Sequence, residues 1–277
     1  MPTSSKKPPP TTTSTVDEGG ATKFSDVHPD IIQAHILTRL DGSTLASASC
    51  TYSQLHALSA QDGIWTDICH STWPSTTTPR LRHVISSFPN GARSFFAHSF
   101  PLFLSDSTAI SQSNVDRPSA PELISAVDIY YQNKLIFTKV QETETVNGWF
   151  RCSPFRIDLL DPKDVIPTPI GHPDGEDSCT ALADEMTLSW IVIDPIGRRA
   201  MNLSSQKPVS VQRHWLSGEV QVRFASILAG DQKGSPSEFV QCGIVVTCDE
   251  SEGGEMLVRE VSLQVEDMDG MHLTGDQ

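Results

Sequence analysis

The stretch FSDVHPDIIQAHILTRLDGSTLASASCTYSQLHALSAQDGIWTDIC, Phe24–Cys69, holds three short helical patterns together with their start and stop signals. Ser25 or Asp26 is placed to cap the first helix, and Pro29 falls near its first position, where a missing N–H costs nothing. Asp30 then occupies the first turn, where a carboxylate complements the helix dipole. Ile32, Ile36, Leu37 and Leu40 recur at helical spacing on one face, with Ile31 and His35 beside them, and Asp41-Gly42 ends the helix. Ser43 can cap a second short helix through Leu45, Ala46 and Ala48. Leu55 and Leu58 lie one turn apart in a third pattern, after which Gln61-Asp62-Gly63 breaks the chain before Ile64, Trp65 and Ile68. A bundle this small buries little area by itself, so apolar positions left over from its core are natural anchors for another protein. Periodicity alone favours a helical subdomain that packs its stripe inside the same chain.

Ahead of this stretch, residues 1–22 are Pro, Thr and Ser with almost nothing apolar, which predicts a disordered tail. Lys6 and Lys7 are too few to make a nuclear signal. Behind it, Leu81, Val84, Ile85 and Phe88 form one helical pattern closed by Pro89-Asn90-Gly91, and Phe95, Phe96 and Phe100 form another. These aromatics are expected to brace the helical front against the next domain. Ser105–Ala120 is polar and Ser-rich without an apolar period, which reads as a linker.

Beyond the linker the period changes to two. Val127, Ile129 and Tyr131 alternate, Gln132-Asn133-Lys134 can turn, and Leu135 and Phe137 return, which predicts a hairpin. Trp149-Phe150 and Phe155-Arg156-Ile157 read as another strand, and Asp161–Asp177 as loop. Leu188–Ile193 suits a central strand, followed by a turn at Asp194-Pro195-Ile196-Gly197. Val220, Val222 and Phe224 alternate with polar residues, as do Val240, Cys242, Ile244, Val246 and Cys248, and Leu257, Val261, Leu263 and Val265 are expected to share a face. Strands separated by Gly or Pro turns, with hardly a helical period between them, indicate an antiparallel sandwich or barrel, since a parallel sheet needs crossover helices. The fold class expected is α+β: a helical module over 23–70, a helical extension over 71–104, a linker over 105–120 and a β-rich domain over 121–270.

At this point the residues carry a family resemblance. Pro29, the Ile36-Leu37 pair with Leu40, Leu45 after a short break, then Cys50, Leu55 and finally Trp65 resemble the F-box. Its usual pattern is a Leu-Pro start, an Ile-Leu-x-x-Leu helix end, a Leu in the next short helix and a Trp near the close. TDICHSTWP and the later LISAVDIYYQNKLIFTKV look like a plant F-box group. His28 stands where the family usually has Leu, and Leu55 lies where many members have Trp, which implies weaker docking than usual. The resemblance implies that Pro29, Ile32, Ile36, Leu37, Leu40 and Leu45 dock on the Skp-type adaptor of a cullin-RING ligase. The remainder would hold an unknown protein substrate. Such a chain is a non-catalytic substrate receptor of an SCF-type ubiquitin ligase, working in the nucleus, the cytoplasm or both. The layout of the β-rich part is also similar to the lectin-like sandwich behind some other plant F-boxes, so the alternative is a lectin-like or small-ligand-binding domain with a structural helical front.

Composition narrows the classes further. A formal net charge of −14 argues against a nucleic-acid partner, because phosphate-backbone binders gain affinity through clustered Lys and Arg. Six cysteines are scattered without a CxxC pair, and no amino-terminal apolar segment serves as a secretion signal, so reduced thiols are expected. The apolar runs are too short to span a membrane. No GxSxG, HExxH, phosphate loop or Cys/His quartet marks an active site, a cofactor or a metal. Cys242 and Cys248 become metal ligands only if His172 or His214 joins them, and burial is the better account of both. Asp174, Glu176 and Asp177 lack the spacing of a calcium loop. His214 and Trp215 are the candidates for ligand binding in the β-rich part, the competing account being a Trp that plugs the end of the sandwich. Arg198, Arg199 and Arg213 offer positive charge there, and Asp249, Glu250, Glu252 and Glu255 a local acidic surface.

Overall fold

The computed structural model describes residues 27–100, 120–173, 175–229 and 238–276, so the tail, the caps expected at Ser25 and Asp26, almost all of the 105–120 segment and Asp174 lie outside it. The described chain divides into two units, one ending at Leu40 and the other beginning at Asp41.

In the first unit α1 (Pro29–His35) starts at His28, whose Nδ1 accepts the Asp30 N–H at 3.3 Å, with Pro29 in the first turn. The helix is shorter than its apolar spacing predicts. Ile36 takes φ −114° and ψ −63°, and the chain tightens into a 3-10 turn at Leu37–Arg39. There the Arg39 N–H donates to the Ile36 carbonyl at 3.0 Å and the Leu40 N–H to that of Leu37 at 3.2 Å. Bonds to the third residue back turn the chain faster than α-helical ones, so the expected single stripe is split. Ile32 and Leu37 are buried, whereas Ile36 is exposed.

The second unit opens with α2 (Gly42–Ser49), and its cap is Asp41 instead of Ser43. The Asp41 carboxylate accepts the Thr44 N–H at 2.8 Å and the Ser43 hydroxyl at 2.6 Å. α3 (Ser53–Ser59) and α4 (Asp62–Thr72) are separated at the expected break, but it lies at Ala60-Gln61, and Asp62 and Gly63 already belong to α4, with Gln61 as its cap. A 3-10 turn (Pro74–Thr77), α5 (Pro79–Ser86) and α6 (Gly91–Ser99) follow. Asp62 holds two of these helices, since it begins α4 and its Oδ1 accepts the Ala92 N–H of α6 at 2.8 Å. Aromatic rings fill the space between them. Phe96 lies 5.4 Å from Trp65 and 5.2 Å from Trp73, and Phe95 meets Trp73 and Phe88 edge-on.

The β-rich part is a two-sheet antiparallel sandwich. β1 (Glu122–Tyr131) and β2 (Lys134–Glu144) form the expected hairpin around Gln132 and Asn133, both at positive φ, 49° and 59°, as a tight two-residue turn requires. β5 (Met186–Asp194) and β6 (Arg199–Asn202) complete one sheet in the order β2-β1-β5-β6. The other sheet runs β3 (Arg156–Asp158), β10 (Glu255–Asp267), β9 (Phe239–Glu250), β8 (Val220–Ala229) and β7 (Ser210–Arg213), with β4 (Ile166–Gly171) also on β10. Val127, Ile129, Leu188 and Trp190 from the first sheet share one core with Val222, Phe224, Ile244, Val246 and Leu263 from the second.

Three expectations are corrected. Trp149-Phe150 belongs to a short helix, α7 (Gly148–Cys152), because Asn147 caps it by accepting the Phe150 N–H at 2.7 Å. The segment 161–177 contains β4 and the start of α8 (Glu176–Glu185), which periodicity did not reveal. In β10 an irregularity between Val258 and Glu260 switches the inward face from even to odd residues, so Met256 and Val258, not Leu257, join Val261 and Leu263 in the core. Short strands β6 and β7 carry too few residues to show a period.

β1 is buried on both faces. Val127 and Ile129 face the sandwich core, while Ile124, Ala126 and Asp128 point the other way, towards the Trp73–Ser75 segment. Asp128 is fully buried there. Its Oδ1 accepts the Ser75 N–H at 2.9 Å and the Thr138 hydroxyl at 2.7 Å, and its Oδ2 accepts the Ser75 hydroxyl at 2.6 Å. Beside it Trp73 donates to Ser189 Oγ at 3.1 Å, and at the rim Arg80 pairs with Glu122 and Glu142. Burial pushes the Asp128 carboxyl above its usual range, and the bonds from Ser75 and Thr138 oppose that shift. With the folded value raised, this group's contribution to stability is fully present below the unfolded carboxyl range and is lost as pH rises through the raised value. Asp128→Ala, which strands the Ser75 donors, should lower unfolding free energy by about 1–3 kcal/mol. Asp128→Asn should cost less, and urea titrations at about pH 4 and about pH 8 should show it gaining on wild type as pH rises.

Candidate functional site

The apolar positions expected to anchor a partner divide by burial. Pro29 and Ile36 are exposed, Leu40 is half-buried, and Ile32, Leu37 and Leu45 are buried. Ile31, set beside the stripe by the sequence pattern, is 50% exposed and therefore joins Pro29 and Ile36 as accessible apolar surface on the α1 segment. The break at Ile36 is what the spacing alone missed.

In the second unit Leu45 and Gly42 form the inner side of α2. Gly42 sits so close to the Phe96 ring that a Cβ there would fall 2.1 Å from it. Hydrogen bonds from Ser43 and Thr44 hold the Asp41 carboxyl down at about 2, so the cap is charged above the usual carboxylate range and fails only as pH falls towards that value. Leu55 and Leu58 on α3 are both half-buried.

At the far side of the larger sheet, β7 and β8 are joined by His214-Trp215-Leu216-Ser217-Gly218-Glu219. His214 Nδ1 accepts the Ser217 N–H at 3.1 Å, its own N–H donates to the Glu219 carbonyl at 2.7 Å, and the Gly218 N–H returns to its carbonyl at 2.9 Å. Gly218 takes φ +78°, a value that favours glycine. The Ser217 hydroxyl also donates to Glu219 Oε2 at 3.1 Å. His214 thus shapes the loop, and Trp215 projects from it at 88% exposure, which excludes the plug expected as its alternative role. Beside it Leu216, which no alternation singles out, is 74% exposed. Ser217-Gly218 marks the turn in the sequence, but nothing local fixes whether the preceding Trp-Leu pair faces the core or the water.

The two candidate cysteines are structural. Cys242 and Cys248 face the core, where burial pushes their thiols up to about 11 and about 12, values that suit packed side chains and not ligands. His214 lies on the exposed β7–β8 loop, whereas both cysteines face the core. Arg199 pairs with Asp194 at 2.8 Å, and Arg259 with Asp249 at 2.7 Å. Among the described residues no group of three His, Cys, Asp or Glu side chains could hold a metal, and no helix is long and apolar enough to cross a membrane.

Three curated proteins of Arabidopsis thaliana resemble the chain over most of its length. One, described as a "probable F-box protein", is 51% identical over 253 residues, covering 91% of this chain and 71% of its own. Two described as F-box proteins are 45% and 44% identical, covering 93% and 94% of this chain and 72% and 78% of theirs. The chain belongs to the plant F-box family. No family model and no solved structure matches it. In this F-box chain the departure at His28 has a local account, since its imidazole supplies the cap of α1 that a Leu would lack. Gly42 is bound to its place by Phe96, so Gly42→Ala should destabilise the protein by about 1–3 kcal/mol through overpacking, read as a lowered melting temperature, and Phe96→Leu in the same chain should relieve part of that loss.

Proposed function

We propose that this chain is the substrate-receptor subunit of an SCF-type ubiquitin ligase. Membership of the F-box family, carried by relatives 44–51% identical over more than nine-tenths of the chain, is the observation that supports this reading. In it, residues 23–70 dock on a Skp-type adaptor and through it on a cullin-RING scaffold, residues 71–104 extend the helical part, 105–120 link, and 121–270 recruit a protein substrate. The chain performs no bond chemistry in this role and needs no cofactor; it works by holding a substrate lysine near the ubiquitin-loaded enzyme at high effective concentration. It would act in the nucleus, the cytoplasm or both.

Geometry within the second unit suits such a role. The Ser75–Asp128 and Trp73–Ser189 bonds join α4–α6 and the sandwich into one body, so a substrate held by the sandwich keeps its orientation relative to those helices. Adaptor contact would use Pro29, Ile31 and Ile36, which are exposed, with Leu40 at their margin, while Ile32, Leu37 and Leu45 hold the helices in shape. Capture on immobilised adaptor tests the reading. Ile31→Ala with Ile36→Ala should weaken capture by about tenfold or more while the melting temperature stays unchanged. Failure of the wild-type chain to bind, or full binding by the double variant, overturns it.

A further inference from the structure

Pairing in the larger sheet puts two dissimilar loops side by side. Arg213 lies opposite Val220, and Val220 opposite Cys248, so the β7–β8 loop and the β9–β10 loop leave the sheet at the same end. The first carries Trp215 and Leu216, 88% and 74% exposed, on a loop fixed by the His214, Ser217 and Glu219 bonds described above. A rigid exposed indole loses little entropy on binding, which is why such residues dominate interfaces. The second loop carries Glu252, with Asp249 and Glu250 at the end of β9 and Glu255 at the start of β10, and the β8 register puts Glu219 beside the Asp249 end. Against these five carboxylates the described residues at this end set Arg213 and Arg259, the latter already tied to Asp249. Beneath the acidic loop His172 is buried, its side chain 1% exposed, with Nδ1 3.9 Å from Glu250 Oε2. Neither ring nitrogen has a hydrogen-bond partner among the described residues. An exposed aromatic face thus shares this end with Glu250, Glu252 and Glu255, which no Lys or Arg among the described residues pairs with, and with a buried imidazole whose nitrogens have no hydrogen bond.

We propose that this end of the larger sheet recognises a Lys- and Arg-rich segment of the recruited protein, a proposal that rests on the substrate-receptor reading above. Cationic side chains stack on the Trp215 indole, their aliphatic stems lie along Leu216, and their charges pair with Glu250, Glu252 and Glu255. The net charge of −14 steers such a segment towards the chain, and the indole fixes where it settles.

Fluorescence anisotropy of the full chain with a dye-labelled peptide of repeating Arg-Leu-Lys-Gly, at physiological salt, tests this. Trp215→Ala and the triple change Glu250→Gln, Glu252→Gln, Glu255→Gln should each weaken binding by about tenfold. Glu144→Gln with Asp161→Asn and Asp164→Asn, a matched loss of exposed charge elsewhere, should change it by less than about twofold. Absence of binding, an unaffected Trp215→Ala, or equal weakening by the control triple change overturns the proposal. Adaptor capture separates the two readings: a chain that binds adaptor but not peptide sinks only this inference, and one that binds peptide at Trp215 but not adaptor sinks the receptor assignment instead.

Discussion

Asp128 carries a constraint on which much of the second unit depends. A carboxylate with no exposure is costly unless its lone pairs are filled, and here the Ser75 N–H, the Ser75 hydroxyl and the Thr138 hydroxyl fill them. Ser75 comes from the segment after α4 and Thr138 from β2, so the carboxylate bonds a helical layer to a sheet. It lies in a polar row across three strands, Thr138, Asp128 and Ser189, which Ser75 and Trp73 cover with matching donors. Around the row Ile124, Ala126, Ile191 and Ile193 are fully buried although they point away from the sandwich core. The smaller sheet therefore needs the helices on its outer face as much as the second sheet on its inner one.

That demand shapes the helical layer. Phe96 stands at its centre, in contact with Trp65, Trp73 and Phe100 and pressed against Gly42. Asp62 supplies the polar complement by bonding the start of α6 from the start of α4. Ring packing and one long-range cap thus do what short helices cannot do alone, since helices of 7–11 residues are marginal in isolation. An F-box chain built this way carries its sandwich on a body that includes α4–α6.

The loops at the end of the larger sheet differ in character from the scaffold. The β7–β8 tip spends its polar groups on its own shape and leaves Trp215 and Leu216 in water, the reverse of what stability alone would select. Its neighbour concentrates negative charge at the same end. Loops held by a rigid frame are where binding residues collect, and here frame and loops are chemically distinct.

Much of the architecture was legible from residues alone. Alternation in Val220–Phe224 and Val240–Cys248 fixes strands because a half-buried strand has a side-chain period of two, and Gln132-Asn133 marks its hairpin because few residues accept positive φ. The family was legible as a spacing. Local sequence could not reveal that Asp41 would outcompete Ser43 as a cap, that Ile36 would break the first helix, or that β10 would change its inward face after Val258. Nor could it show that Asp128 would meet Ser75, 53 positions away, or that Trp215 would stand in water instead of closing the core. Periodicity is set by the backbone geometry of a single element, so the sequence by itself determined the elements and their apolar faces. Which face is covered, which polar group finds a donor and which aromatic stays exposed depend on neighbours distant in the chain, and only the tertiary structure decided them.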